Sequence, residues 1–349
     1  MEAAARPLAF ALLSAALFGA ATPASKALLA ELPPFQLAGL LYLGAAVGVA
    51  PWAWRAGGLR LPGRGDRRNR IRLLGAVLAG GVAGPVLLLF GLRLAGPASV
   101  SLWLSLELVA TALLGALIFK EPLGWLGWAG VAAAFGGAAV LAAGADQAGI
   151  LACLLVLAAC MCWGLDNHLT ALIDGITPAE STFWKGLAAG TCNLALGITL
   201  SPCAATPFTV AGALAVGALS YGASIVLYIS AAQALGATRA QVAFSSAPLF
   251  GLALSVAWLG ETLRLAHGAS AALFAGAIAL LGFERHAHRH VHEAMRHEHA
   301  HRHDDGHHLH SHPGVPPGTR HSHVHEHQPT VHAHPHWPDL HHRHPHRHD

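Results

Sequence analysis

The sequence predicts an all-α integral membrane protein: ten transmembrane helices arranged as two inverted five-helix repeats, followed by a disordered histidine-rich tail. Three observations carry this prediction. Ten apolar segments fill residues 7–283, each close to the roughly 20 residues that a bilayer-spanning helix needs. The chain resembles itself at an offset of 140 residues. Of its 26 histidines, all except His168 and His267 lie beyond Arg285.

Composition excludes several alternatives. Hydrophobic residues make up 54% of the chain and charged residues 11%, against about 25% charged in an ordinary soluble domain. The net charge of +3 is unevenly placed, and no basic run with interleaved aromatics points to nucleic acid. The five cysteines, Cys153, Cys160, Cys162, Cys192 and Cys203, are odd in number and mostly apolar in setting, which argues against a disulfide framework. No Walker-type phosphate loop occurs, so transport energy is expected from a gradient rather than ATP. No paired catalytic carboxylates sit at a span end, so an enzyme is not expected.

The expected spans are 7–28, 34–54, 71–92, 97–119, 123–143, 148–172, 179–200, 208–232, 238–259 and 264–283. The first is read as a span rather than a signal peptide, because its apolar stretch runs from Pro7 through Thr22-Pro23 to Leu29, longer than a signal core. The one long connection, residues 55–70, holds Arg55, Arg60, Arg64, Arg67, Arg68 and Arg70. The positive-inside rule keeps such a cluster in the cytoplasm. Counting from it places both termini of this cell-membrane, multi-pass chain in the cytoplasm.

The repeat aligns Phe119-Lys120-Glu121-Pro122 with Leu259-Gly260-Glu261-Thr262, and Gly96-Pro97 with Gly236-Ala237. Each copy holds five spans. Because five is odd, the second copy crosses the bilayer in the opposite sense, an architecture of alternating-access transporters with a midplane site.

These motifs carry a resemblance. Gly19-Ala20-Ala21-Thr22-Pro23 near span 1, Phe119-Lys120-Glu121-Pro122 after span 4 and Trp258-Leu259-Gly260-Glu261 after span 9 resemble the drug/metabolite transporter superfamily, specifically its EamA-type members. The resemblance implies EamA-like repeats at 1–143 and 144–284, with the tail at 285–349 outside them. It also implies secondary transport of a small molecule. The resulting expectation is an exporter of a small polar metabolite; the alternative is a divalent-metal (Zn, Ni, Co) or metal-chelate exporter fed by the tail.

Ionisable groups within the bilayer are costly and usually face a cavity or a partner. Glu107, in the middle of span 4, is the sharpest case, as a carrier of a proton or a cation. Asp166 and Asn167 in span 6 are expected to line the cavity. Asp166 and Thr170 share a face at i, i+4, whereas His168 points elsewhere. Thr22, Tyr221 and Ser224 complete the expected substrate-binding set. Lys185 and Glu180 are expected at the interface. Pro85 and Pro248 are expected to kink spans 3 and 9, and Glu121 and Glu261 to act at span ends, as gating elements.

The tail repeats His-x-His at His286, His288, His290 and His292, then at His297, His299, His301 and His303. Imidazole suits Zn, Ni, Co and Cu, and a flexible chain bearing many of them chelates without a preformed site. Low apolar content with interrupting Pro and Gly predicts disorder. No cofactor is required by this reading. The expected partners are the lipid bilayer, a small-molecule substrate and transition-metal ions, with a homodimer left open.

Overall fold

The computed structural model describes residues 2–335 apart from 56–57, 64, 119–122, 144, 146, 174–175, 203, 236–242, 284–286, 293–294, 302–320 and 328–329. Up to residue 283 the described chain is helical. In the first half the helices are α1 (Glu2–Gly19), α2 (Ala21–Leu28), α3 (Pro34–Arg55), α4 (Arg67–Ala76), α5 (Gly84–Leu94), α6 (Pro97–Trp103), α7 (Leu106–Leu117) and α8 (Trp125–Ala143). The second half holds α9 (Gln147–Ala171), α10 (Pro178–Leu200), α11 (Pro207–Val216), α12 (Ser224–Leu235), α13 (Ala247–Leu259) and α14 (Leu265–Phe283). Two seven-residue π-helical segments, π1 (Val77–Ala83) and π2 (Gly217–Ala223), join α4 to α5 and α11 to α12.

Local chemistry sets the ends. α3, α6, α10 and α11 each open on a proline, at the position where a missing N–H costs nothing. Asp66, Thr177 and Thr206 accept backbone N–H groups three residues on and so cap α4, α10 and α11. Thr177 and Glu180 close a reciprocal capping box. Gly260 ends α13 with φ +66°, a left-handed conformation that glycine adopts without penalty.

Seven helical runs among the described residues are long and apolar enough to cross a bilayer: Leu8–Leu28, Pro34–Arg55, Arg67–Leu94, Pro97–Leu117, Trp125–Ala143, Gln147–Ala171 and Pro207–Tyr228. Ala247–Leu259 and Leu265–Leu281 are apolar but shorter. Large apolar side chains lie on the outside, with Leu154 57%, Trp125 78% and Phe208 87% exposed. Water would penalise that surface and lipid favours it.

Small residues decide how closely the helices approach. α3 and α10 are packed along their length. The Gly39 backbone in α3 lies against Leu194, and Gly190 in α10 lies against Leu43, so close that a methyl group at either place would overlap its neighbour. Close approach of this kind is how helices gain packing energy without a hydrophobic effect between them. Around this pair, π2 packs on α3 and π1 on α10. α5 lies on α9, α1 on α12, α8 on α14, and α6 on α13.

Two helical runs are interrupted among the described residues. Leu104-Ser105 breaks α6 from α7, and a turn at Ser245-Ser246 precedes α13. The prolines expected as kinks fall at the start of new helical segments. Pro85 stands in the first turn of α5, directly after π1, and Pro248 in the first turn of α13. They mark where irregular backbone ends, because a residue without N–H fits best at a helix start.

The tail, expected to be disordered, is described only in part. Its described residues form β1 (Ala287–His292), β2 (Met295–His301), β3 (His321–His327) and β4 (Thr330–Pro335), with β1 antiparallel to β4 and β2 to β3. Apart from Pro335 at the end of β4, the breakers lie outside these segments. Gly306, Pro313, Gly314, Pro316, Pro317 and Gly318 all fall between β2 and β3, which leaves the His-x-His runs free to satisfy their backbone groups by pairing. His286 and His303 lie outside the described residues, as does Glu121.

Candidate transport site

The polar cluster inside the bundle is built around π1. A π-helical turn bonds residue i to residue i+5, and Gly84 N–H accordingly donates to Ala79 O. The next donor in that register would be residue 85, but Pro85 has no N–H, so Gly80 O is released. Two side chains take it: Tyr42 Oη donates at 2.5 Å and Trp163 Nε1 at 3.0 Å. Gly81 O accepts from Asn193 Nδ2 at 3.0 Å. Buried carbonyls need partners, and here α3, α9 and α10 each supply one.

Beside π1 stands an ion pair. Lys185 Nζ lies 2.6 Å from Asp166 Oδ2, with the two side chains 16% and 7% exposed. Thr170 Oγ1 donates to Asp166 Oδ1 at 2.8 Å. The Asp166 carboxylate occupies the space that a Cβ at Gly80 would need, so the absence of a side chain at residue 80 is what admits it. In a medium of low dielectric such a pair survives only with additional hydrogen bonds, which Thr170 provides.

Glu107 stands in the first turn of α7, directly after the break at Leu104-Ser105. At this break the backbone stays in the helical region and its N–H groups bond within the turn, Ser105 N to Leu102 O and Glu107 N to Leu104 O, each at 3.0 Å. Its Oε1 accepts from Asn167 Nδ2 at 3.2 Å, and Asn167 also donates to Thr111 Oγ1 at 3.2 Å. Among the described residues no cation forms an ion pair with Glu107, although Asp166, Lys185 and Tyr221 all lie within its electrostatic reach. Asn167 is exposed, so this end of the cluster faces open space.

The structure thus brings Glu107, Asp166, Asn167 and Tyr221 into one region. Tyr221, in π2, has its ring centroid 5.7 Å from Tyr42 and 5.8 Å from Phe18. Ser224 exchanges buried hydrogen bonds with Ser14 of α1, and no hydrogen bond to Glu107, Asp166 or Asn167 joins it to them among the described residues. Thr22 is buried on α2, which packs against α11 and α13 rather than against π1. His168 is engaged through Nε2 with Thr111 O at 2.9 Å.

Lys185 corrects the expectation of an interfacial position. It lies seven residues into α10, about 10 Å along the helix, and that depth was the available signal. Tyr42, Trp163 and Gly80 carried no sequence signal of their own, because their role depends on the proline at residue 85.

Polar contacts also tie elements together at both ends of the bundle. At the end bearing the arginine-rich loop, Glu180 accepts from Arg60 N at 3.1 Å and Arg60 Nε at 3.3 Å, and Arg72 Nη1 donates to Leu172 O at 2.6 Å. At the opposite end Lys26 Nζ donates to Leu92 O and Ala95 O at 2.6 and 3.0 Å. Glu261 accepts from Ala98 N at 2.8 Å, capping α6 over Gly96. Glu31, in the connection before α3, accepts from Thr209 Oγ1 at 2.7 Å and Thr206 N at 3.1 Å. These bonds hold its carboxyl below the usual range.

Comparison with known proteins agrees with this picture. An uncharacterized transporter of Methanothermobacter thermautotrophicus is 29% identical over 218 residues, covering 58% of this chain. This chain spans 62% of that relative's length. A solved crystal structure superimposes with a TM-score of 0.55 at 19% identity, covering 80% of this chain and 96% of the other, which supports the fold. The EamA-like transporter family matches twice, over residues 6–143 and 150–283. With both halves of the helical region matched, the chain belongs to the EamA-like transporter family.

Proposed function

We propose that this membrane transporter exports a small polar metabolite by alternating access, with Glu107, Asp166, Asn167 and Tyr221 on the substrate path and the tail as a metal-binding regulator. The observation that carries the reading is Glu107: a carboxylate at a half-helix start, hydrogen-bonded to an exposed Asn167 and free of an ion-pair partner among the described residues. A carboxylate in that setting exchanges a proton or a cation at low cost, which is what coupling to a gradient requires.

Several features support ten spans in two inverted halves. π1 and π2 are 140 residues apart, the offset of the repeat. The packing partners exchange in step: α3 with π2 and α10 with π1, α1 with α12 and α5 with α9. The arginines of residues 55–70 favour that end, and with it both termini, in the cytoplasm. Pro85, Pro248 and Glu261 stand at segment ends, where rocking of one half against the other would be felt.

Divalent metal as cargo is the weaker reading. Asp166 is held by Lys185, and His168 by a backbone carbonyl. Among the described residues no group of three metal-ligating side chains converges. Metal binding by the tail draws support from strand register, which sets His288 opposite His334, His290 opposite His332, His297 opposite His325 and His299 opposite His323.

The test is a substrate screen in everted membrane vesicles, repeated with Glu107→Gln. Uptake of a polar metabolite that depends on the pH gradient in the wild type and loses that dependence in the variant is the expected result. A gradient response unchanged by the substitution removes Glu107 from coupling. Gradient-driven uptake of Zn, Ni or Co, with no metabolite moved, would favour the metal reading.

A further inference from the structure

Helix α4 has two faces. Asn69, Leu73 and Ala76 are buried, and Arg72 turns inward to Asn69 Oδ1 and Leu172 O. The outward face reads Arg67, Arg70, Ile71 and Leu74, at the i, i+3, i+4 spacing of one helical stripe, and Leu78 at the start of π1 continues it. Ile71 and Leu74 are each 56% exposed and Leu78 54%. Arg67, Arg70, Ile71 and Leu74 together line a shallow, open surface groove. Among the described residues neither Arg67 nor Arg70 has an ion pair or a side-chain hydrogen bond.

The order along this stripe is chemically directional. Two unpaired guanidiniums stand at the end nearest the polar connection, and three bare aliphatic side chains follow toward the middle of the span. A bilayer has the same gradient, headgroup then acyl chain. Arginine snorkels to phosphate at that depth and binds it with a planar fork of donors. The groove spans the two chemistries, with Arg67 and Arg70 one turn apart in its lining.

We infer that this groove is a binding site for an anionic phospholipid, its phosphodiester held between Arg67 and Arg70 and one acyl chain laid along Ile71, Leu74 and Leu78. The occupant is a lipid rather than a free anion because the groove continues into exposed apolar surface that no soluble phosphate would cover. Occupancy steadies α4, and α4 leads directly into π1, so the lipid acts on the element that carries Gly80 and Gly81. This inference is independent of what the protein transports.

The test uses the full-length protein in a neutral detergent, titrated with phosphatidylglycerol or phosphatidylcholine and read by native mass spectrometry. Each charge-assisted hydrogen bond to phosphate is worth on the order of tenfold or more in affinity. Arg67→Gln/Arg70→Gln should therefore weaken phosphatidylglycerol binding by about a hundredfold, and phosphatidylcholine, which carries the same phosphodiester but offsets its charge with choline, by a smaller factor. Arg55→Gln/Arg68→Gln, which removes the same charge from the same end, should leave both unchanged, as should addition of inorganic phosphate. Leu74→Asn should weaken phosphatidylglycerol further without altering the headgroup preference. Equal losses in the two arginine pairs would overturn the site in favour of diffuse charge. Competition by inorganic phosphate as strong as by the lipid, or indifference to Leu74→Asn, would overturn the lipid as occupant.

Discussion

At the scale of single residues, Gly80 decides more than any charged group around it. Its missing side chain lets the Asp166 carboxylate lie on the backbone, and its carbonyl collects Tyr42 and Trp163. Glycine to alanine in a helix normally gains up to about 1 kcal/mol. At Gly80 overpacking of about 1–3 kcal/mol outweighs that, because Asp166 is pinned by Lys185 and cannot yield. Gly80→Ala should therefore lower the melting temperature in detergent and reduce transport. Gly276→Ala in α14, where an added Cβ meets nothing, should be neutral or mildly stabilising in the same melt. Part of this is legible in the sequence. Glu107 and Asp166 stand out as carboxylates among apolar neighbours, and the i, i+4 spacing of Asp166 and Thr170 places them on one face. Lys185 misleads because a cation six residues into an expected span resembles a snorkelling one; only its partner across the bundle distinguishes the two cases.

The elements show where punctuation succeeds and where it does not. Prolines and caps are readable as helix starts, since their chemistry is local. Asp66 is the clearest instance: it accepts from Asn69 N at 3.1 Å and Asn69 Nδ2 at 2.6 Å. Those bonds, the backbone one foremost, hold its carboxyl below the usual range. A carboxylate lowered in the fold stabilises above its unfolded value and loses that contribution as pH falls through its folded one. Asp66→Ala should cost about 1 kcal/mol near neutral pH, and the gap should close on acidification. Asp66→Asn should keep most of the cap without the pH dependence. Thermal melts between roughly pH 3 and pH 7, spanning the carboxylate range, check both. The π segments are not legible. Their origin is a hydrogen-bond register that changes by one residue, and no residue type marks it except Pro85 after the fact.

At the scale of the molecule, the twofold family match follows the internal recurrence already visible in the sequence, because whole spans repeat and apolar length survives divergence better than any one side chain. The tail is different: its composition points to disorder, while the placement of its prolines and glycines leaves uninterrupted runs able to pair. It stands outside both matched regions. Removing residues 286–349 should leave folding and metabolite transport intact while abolishing most zinc binding by the purified protein, measured by equilibrium dialysis. Loss of transport without metal present would make the tail part of the carrier rather than its regulator.

The hydrogen bonds around Pro85 bear finally on how the chain is made. The carbonyl of Gly80 is completed by Trp163, and that of Gly81 by Asn193, residues that leave the ribosome long after the third span has done so. Until they arrive, the carbonyl of Gly80 has only Tyr42 and that of Gly81 lacks its side-chain donor, and lipid offers none. Maturation of the first half is thereby tied to synthesis of the second, and a chain truncated before residue 163 should be held by insertion and quality-control machinery rather than settle alone.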